Sequence, residues 1–309
     1  MALAPSKGLG GLSMAASTTT NRTLPSVGLV LVGLGMGTVE GLTMEAIAAA
    51  KTADHRWYEA YTALWPAASL EQLEATVGPI ERVMRPDVES PERLFALAES
   101  SLVALLVVGD PLQATTHVDL QLRAAERGIP CSVVHGISVT NVVTGAVGLS
   151  NYRFGRQTTL TYPYGDWVAT SPLEVMASNW EQNLHTLALL DLDPTGQGTG
   201  EQQPMRPADA VKSLRMMWDK LAETAEEPLS ETYVRKAFRQ FASKLYLQQT
   251  FEDIAVVLCS DMGTPDQCIV TTTLGKLGEE NGGRLNCLVF PAGTGEVEEK
   301  ALTRWHRGE

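Results

Sequence analysis

The chain has five histidines and four cysteines, the residue types best suited to metal binding or nucleophilic chemistry, and neither set is arranged for it. His55, His117, His135, His185 and His306 show no metal-ligand spacing. Cys131, Cys259, Cys268 and Cys287 form no C-x-x-C pair and three of them sit in apolar, strand-like runs, so buried thiols are expected rather than a zinc site or a disulfide framework. G-x-S-x-G, H-E-x-x-H and Walker patterns are absent. No catalytic side chain and no metal ligand are therefore assigned. What remains is a set of polar, glycine-bearing loops: Gly33-Leu34-Gly35-Met36-Gly37, Gly109-Asp110-Pro111-Leu112-Gln113 and Gly136-Ile137-Ser138-Val139. Loops of this kind can hold a ligand through backbone amides without a side chain entering the chemistry. Asp110 has two readings: a carboxylate accepting hydrogen bonds from a ligand, or the cap of its own turn. His117 reads as a helix-start residue bonding locally rather than a base, and Glu59 as a satisfied structural carboxylate.

The elements that would position these loops follow from the apolar pattern. Residues 102–108 are an unbroken apolar run, the pattern of a strand buried on both faces of a parallel sheet. Gly109 and Pro111 end it. A helix is expected from Thr116, with Asp119 in a capping arrangement and Val118, Leu122 and Ala125 on one side. Residues 27–32 form a strand before the first glycine loop and an alanine-rich helix at 44–53. That loop makes a poor dinucleotide fingerprint, because the third glycine is not at the required offset. Trp57 to Tyr61 read as a second strand, Ser69 and Ser90-Pro91-Glu92 as helix starts, and 131–135 as a further strand. This alternation is that of an α/β half ending near residue 140. The second half has strands at 157–162 and 185–191 around a capping box, Ser171-Pro172-Leu173-Glu174. A Gly-, Gln- and Pro-rich mobile loop (193–207), helices at 208–224 and 231–249, strands at 254–259, 268–273 and 285–290, and a helix at 296–305 follow.

The expected organisation is a disordered extension (1–26), an N-terminal α/β domain (27–140) and a C-terminal α/β domain (141–309). A chain of 309 residues can bury a sizeable core. Its net charge of −12 argues against nucleic-acid binding and against an anionic membrane surface. No apolar run approaches the length of a membrane span, and residues 1–26 lack the apolar core of a secretory signal.

Several strings resemble the diphthine synthases, a family of the tetrapyrrole-methylase-like superfamily of S-adenosylmethionine methyltransferases. They are the first glycine loop, Glu59-Ala60-Tyr61-Thr62, Gly109-Asp110-Pro111-Leu112-Gln113-Ala114-Thr115-Thr116-His117, Tyr152-Arg153-Phe154-Gly155, and His185-Thr186-Leu187 through Leu190-Asp191. They run in order over most of the chain. The resemblance implies a mainly parallel first sheet, a mixed second sheet and S-adenosylmethionine in the cleft between the two domains. It implies cofactor contacts at Met36, Asp110, Gln113, Ser138, Val139, Leu190, Met262 and Asn286. Without it, Met36 and Leu190 read equally well as core residues and Ser138 as the cap of the following helix. It also implies a cytoplasmic homodimer acting on translation elongation factor 2, where the amino group of an aminocarboxypropyl-histidine is methylated repeatedly. Three methyls are expected, since residues 162–167 look closer to archaeal members than to eukaryotic ones, which add a fourth to the carboxylate. Three departures stand out. Ser260-Asp261-Met262-Gly263 replaces an Ala-Arg-x-Gly turn, Asn286 replaces a histidine, and the 231–249 region is longer; they leave room for a changed substrate. The rival readings are tetrapyrrole methylation on the same fold, a non-catalytic protein binding the cofactor or the elongation factor, and a Rossmann-type dehydrogenase.

Methyl transfer from a sulfonium to an amine needs alignment and exclusion of water more than a catalytic triad. A chain without a nucleophile–base constellation is compatible with that reaction.

Overall fold

A computed structural model describes residues 24–196, 202–224 and 234–307. The chain builds two five-stranded sheets. The first holds β1 (Gly28–Gly33), β2 (His55–Glu59), β3 (Glu81–Val83), β4 (Leu102–Val107) and β5 (Cys131–Val134), in the order β3-β2-β4-β1-β5. All its pairings are parallel. The second holds β6 (Thr158–Leu160), β7 (Thr186–Leu190), β8 (Ala255–Ser260), β9 (Cys268–Thr273) and β10 (Asn286–Phe290), in the order β6-β7-β10-β8-β9. There β6 and β7 pair parallel and the other neighbours antiparallel. The mainly parallel first sheet and mixed second sheet are as expected.

Both sheets are covered on two faces, and side-chain alternation sorts the residues. Leu29, Leu31, Trp57, Val103 and Leu105 pack against Leu94, Phe95, Leu120 and Ala124. Val30, Val32, Tyr58, Ala104 and Leu106 face Ala46, Ala49 and Leu73 on the other side. In the second sheet Ala188, Leu190, Val256 and Leu288 pack with Leu173, Leu214 and Tyr246. Leu187, Val257, Cys259 and Val289 meet Val143, Val147 and Leu149.

Several local expectations shift. The second strand begins two residues early, at His55, because its register with β4 opens at the His55–Val103 pair. The three-residue edge strand β3 was too short and too polar for a pattern to show it. The helix expected from Thr116 is His117–Glu126, and Thr116 makes no side-chain cap. It buries His117, Leu120 and Ala124, whereas Val118 and Leu122 are exposed. The cap of Ser171–Glu181 is Thr170, one residue earlier than expected, and its hydroxyl donates to Glu174 Oε1 at 2.8 Å. Of the expected N-terminal extension, residues 1–23 lie outside the described residues, while Leu24 packs on the first core. In the loop read as mobile, residues 197–201 lie outside the description. Its later part is tied down: Gln203 N donates to Leu192 O (2.8 Å), Met205 N to Asp191 O (2.9 Å), and Met205 is buried. Residues 231–233 of the expected second helix are likewise outside the description, and its described part is Val234–Tyr246.

Candidate functional site

The loops after β1, β4 and β5 leave the carboxyl ends of three adjacent parallel strands, and β1 lies between the other two. In this order the chain runs from β1 towards one edge of the sheet and from β4 across β1 to the other edge. That reversal opens a crevice at the strand ends, where open α/β sheets bind ligands. The three loops touch through backbone. A β-carbon on Gly136 would stand 2.2 Å from Gly109 O, and one on Gly33 would stand 2.4 Å from Gly136 N. Gly109, at φ +75°, exchanges hydrogen bonds with Gly35 (Gly109 N to Gly35 O 2.8 Å, Gly35 N to Gly109 O 3.1 Å). The result is a hydrogen-bonded floor made of main chain.

Above it lies a cleft of about 310 Å³, walled on one side by these loops and on the other by residues 189–192, 259–264 and 284–287 of the second sheet. That volume lies within the range of small-molecule sites. The two sides meet where a β-carbon on Gly263 would stand 2.7 Å from Met36 Cβ, and where Arg284 Nη1 donates to Leu64 O at 3.2 Å.

Of the residues singled out in the sequence, Met36, Gln113, Ser138, Val139, Leu190, Met262 and Asn286 line this cleft. Asp110 is not among its lining residues, though Gly109 is. The Asp110 carboxylate is engaged locally: Oδ1 accepts from Leu112 N (2.9 Å), while Oδ2 faces His135 Nδ1 (2.7 Å) and accepts from Gly136 N (3.3 Å). The turn-capping reading is the one the geometry displays, and the same carboxylate fastens the β4 loop to the β5 loop. Gln113 and Ser138 belong to one network through Thr140, whose hydroxyl donates to Gln113 Oε1 (2.9 Å) and lies 2.9 Å from Ser138 Oγ. Thr140 lines the cleft and was not singled out; a second hydroxyl two residues after a Ser cap was its available signal.

The two departures in the second half form a lock on the loop before β10. Asp261 sits at φ 45° and accepts from Arg284 N and Leu285 N, each at 2.9 Å. Asn286 Oδ1 accepts from Gly283 N and from Ser260 Oγ, each at 2.8 Å. The charge reversal at Asp261 is thus absorbed structurally, and Arg284, in the same loop, puts a guanidinium on the cleft wall. Asp191 lines the same wall, its carboxylate accepting from Leu192 N (2.8 Å), Asp193 N (3.1 Å) and Tyr162 N (3.2 Å).

Behind the floor, Glu59 and His117 form a buried pair, Oε2 to Nε2 2.7 Å. His117 Nδ1 lies 2.9 Å from Pro111 O. A carbonyl only accepts, so Nδ1 carries a proton, and Nε2 faces the carboxylate. Burial opposes the charged ring, but the contact and charge of Glu59 outweigh it, and the His117 pKa is raised. Thr62, a cleft residue, donates its hydroxyl to Glu59 Oε1.

The residues fit a nucleotide-bearing sulfonium cofactor. The floor offers main-chain polar groups at close approach, Met36, Val139, Leu190 and Met262 give apolar walls, and Gln113, Ser138 and Asn286 give polar ones. Among the described residues no group of His, Cys, Asp and Glu is arranged for a metal ion, and no helix is long and apolar enough to cross a membrane.

Comparison with known proteins agrees with this geometry. Residues 28–278 match the family of Tetrapyrrole (Corrin/Porphyrin) Methylases. A diphthine synthase of Methanocorpusculum labreanum is 40% identical over 188 residues, 60% of this chain and 73% of the relative. One from Halorubrum lacusprofundi is 34% identical over 280 residues, 89% of this chain and 95% of the relative. A crystal structure of diphthine synthase superposes with a TM-score of 0.71 at 28% identity, covering 90% of this chain and 95% of that one.

Proposed function

The chain belongs to the tetrapyrrole methylase family and, within it, to the diphthine synthases, and from that premise we propose that it transfers methyl groups from S-adenosylmethionine to the amino group of the aminocarboxypropyl-histidine of elongation factor 2. The observation that carries this reading is the backbone-floored cleft, because four of the five strings that resemble the family line it.

When bound, S-adenosylmethionine supplies a methyl group already activated on a sulfonium. The chain's part is to bind, orient and exclude water. Met36, Val139, Leu190 and Met262 clasp the apolar parts of the cofactor, and Gln113, Ser138 and Asn286 offer it hydrogen bonds. Asp110 holds the Gly109 and Gly136 loops together at the edge of the floor. Leu64, Val108 and Leu189 line the same space and keep it dry. Asp191, a carboxylate residue on the wall, balances the positive charge that passes to the acceptor amine. Deprotonation of that amine is left to solvent, and no catalytic base is assigned.

Transfer should stop at three methyls. A quaternary nitrogen has no lone pair, and a fourth transfer would need the weaker carboxylate nucleophile in line with the sulfonium. The protein is proposed to act in the cytoplasm as a homodimer, with a domain boundary near residue 140. The test is incubation with labelled methyl donor and, separately, precursor-bearing elongation factor 2 and uroporphyrinogen, followed by peptide mass spectrometry. A gain of three methyls on the factor is expected. Four would make it the eukaryotic type of reaction, label on uroporphyrinogen would favour tetrapyrrole methylation, and no transfer would favour a binding protein.

A further inference from the structure

The acceptor proposed above is an amino acid in miniature: the amine to be methylated sits on the same carbon as a carboxylate. A site that selects it has to recognise that carboxylate, and two donors on the cleft wall are free to do so. Tyr61, just beyond β2, is 6% exposed and lines the cleft, yet its hydroxyl is buried without a hydrogen-bond partner. Burial foremost, then the Glu59 and Glu89 carboxylates, push the phenol pKa up, so the hydroxyl stays a donor. A buried, unpaired hydroxyl is unfavourable and is relieved by an incoming acceptor.

Arg85 is the first residue of the helix Arg85–Glu89 and lines the same cleft. Its guanidinium carbon lies 5.4 Å from the centre of the Tyr61 ring. Its Nε, buried and without a hydrogen-bond partner, is 3.9 Å from Glu89 Oε1, an ion pair too long to be a hydrogen bond. The other guanidinium on the wall, Arg284, donates to Leu64 O. Arg85 therefore brings a planar fork of donors suited to a carboxylate.

We infer that Tyr61 and Arg85 form the subsite that binds the carboxylate of the acceptor side chain. The inference rests on the proposed function. The methionine end of the cofactor carries the same chemistry, but the position of Arg85 favours the acceptor. Its side chain is 40% exposed, and its charge is felt at the exposed Tyr164, so it stands at the rim where a side chain on another protein enters. A carboxylate held there is not a free nucleophile, in keeping with transfer confined to the amine.

The test uses the full chain and its Arg85→Gln, Arg85→Lys and Tyr61→Phe variants. Calorimetry gives the affinity for precursor-bearing elongation factor 2 with S-adenosylhomocysteine present, and the affinity for S-adenosylhomocysteine alone; KM for the factor is measured in parallel. Arg85→Gln is expected to weaken the factor about 10- to 100-fold in both Kd and KM, the range for a charge-assisted hydrogen bond. Arg85→Lys should recover part of the loss and Tyr61→Phe should cost roughly 3- to 10-fold. Affinity for S-adenosylhomocysteine should stay within about twofold throughout. Unchanged affinity for the factor in Arg85→Gln overturns the assignment. So does a parallel loss of S-adenosylhomocysteine affinity, which gives the carboxylate to the cofactor. A wild-type protein that neither binds nor methylates the factor overturns the proposed function itself, and the assignment with it.

Discussion

Each half of the molecule contains a buried histidine beside a glutamate, and the two imidazole pKa values are displaced in opposite directions. In the first half His117 has the Glu59 carboxylate 2.7 Å from one ring nitrogen and the Pro111 carbonyl 2.9 Å from the other, and the contact and charge of Glu59 raise its pKa against burial. In the second half His185 Nε2 lies 3.3 Å from Glu298 Oε1, but Nδ1 accepts from Ala292 N at 2.9 Å. A nitrogen that accepts carries no proton, so this ring is neutral. Burial foremost lowers the His185 pKa, and Arg153 adds to that against the pull of Glu298. Glu298 is charge-balanced elsewhere, 2.7 Å from Arg153 Nη1 and accepting from Ser150 N and Gly295 N. The partner of the second nitrogen, rather than the carboxylate, decides the charge on a buried histidine.

The contrast is broken most forcefully at Glu59. Glu59→Ala strands an imidazolium in the core and is expected to lower the unfolding free energy by about 3–5 kcal/mol, the cost of breaking a buried ion pair. Urea denaturation measures it, and a loss below about 1 kcal/mol would mean that His117 is uncharged. The pH dependence sharpens the comparison, each unit of pKa displacement being worth about 1.4 kcal/mol. His117, with its folded pKa raised, contributes fully below its unfolded pKa of about 6.5 and loses that contribution as pH rises through the raised value. His185, with its folded pKa lowered, contributes above about 6.5 and loses it as pH falls towards the lowered value. Denaturation of His117→Gln and His185→Gln across pH 4–9 should therefore remove an alkaline loss in one variant and an acid loss in the other. The smallest effect belongs to the third histidine–carboxylate pair, His135–Asp110, because the His135 side chain is 69% exposed. His135→Gln should change stability by less than about 1 kcal/mol, as exposed pairs do. A larger drop in melting temperature would show that His135, and not only Asp110, fastens the floor.

The sequence revealed the strand-end loops because glycine and proline punctuate long apolar runs, and a parallel strand buried on both faces cannot be mistaken for an amphipathic one. The candidate cofactor residues were reached through the family resemblance, half of them inside its strings, and Met36, Ser138 and Leu190 would each have passed for core or cap on pattern alone. Tyr61 and Arg85 were not legible. Tyr61 lay in a recognised string, but the lack of a partner for its hydroxyl is a property of three-dimensional packing. Arg85 reaches the cleft from a strand and a helix of three and five residues, too short for periodicity to register. The carboxylate of Asp110, in the most distinctive string, caps its own turn and also reaches the next loop, a tie no string shows. The structural role of Asp261 was hidden because its partners are backbone amides 23 and 24 residues away.

A floor built from main chain has an evolutionary corollary. Contacts made by amides and carbonyls are indifferent to most side-chain replacements, so the donor end of the cleft can persist while the residues around its mouth drift. In the assignment proposed above, the acceptor is met at that mouth by Tyr61 and Arg85. Selection can then retune what is methylated without disturbing what donates the methyl. The glycines are where such drift is forbidden, because Gly33 and Gly136 have no room for even one added carbon.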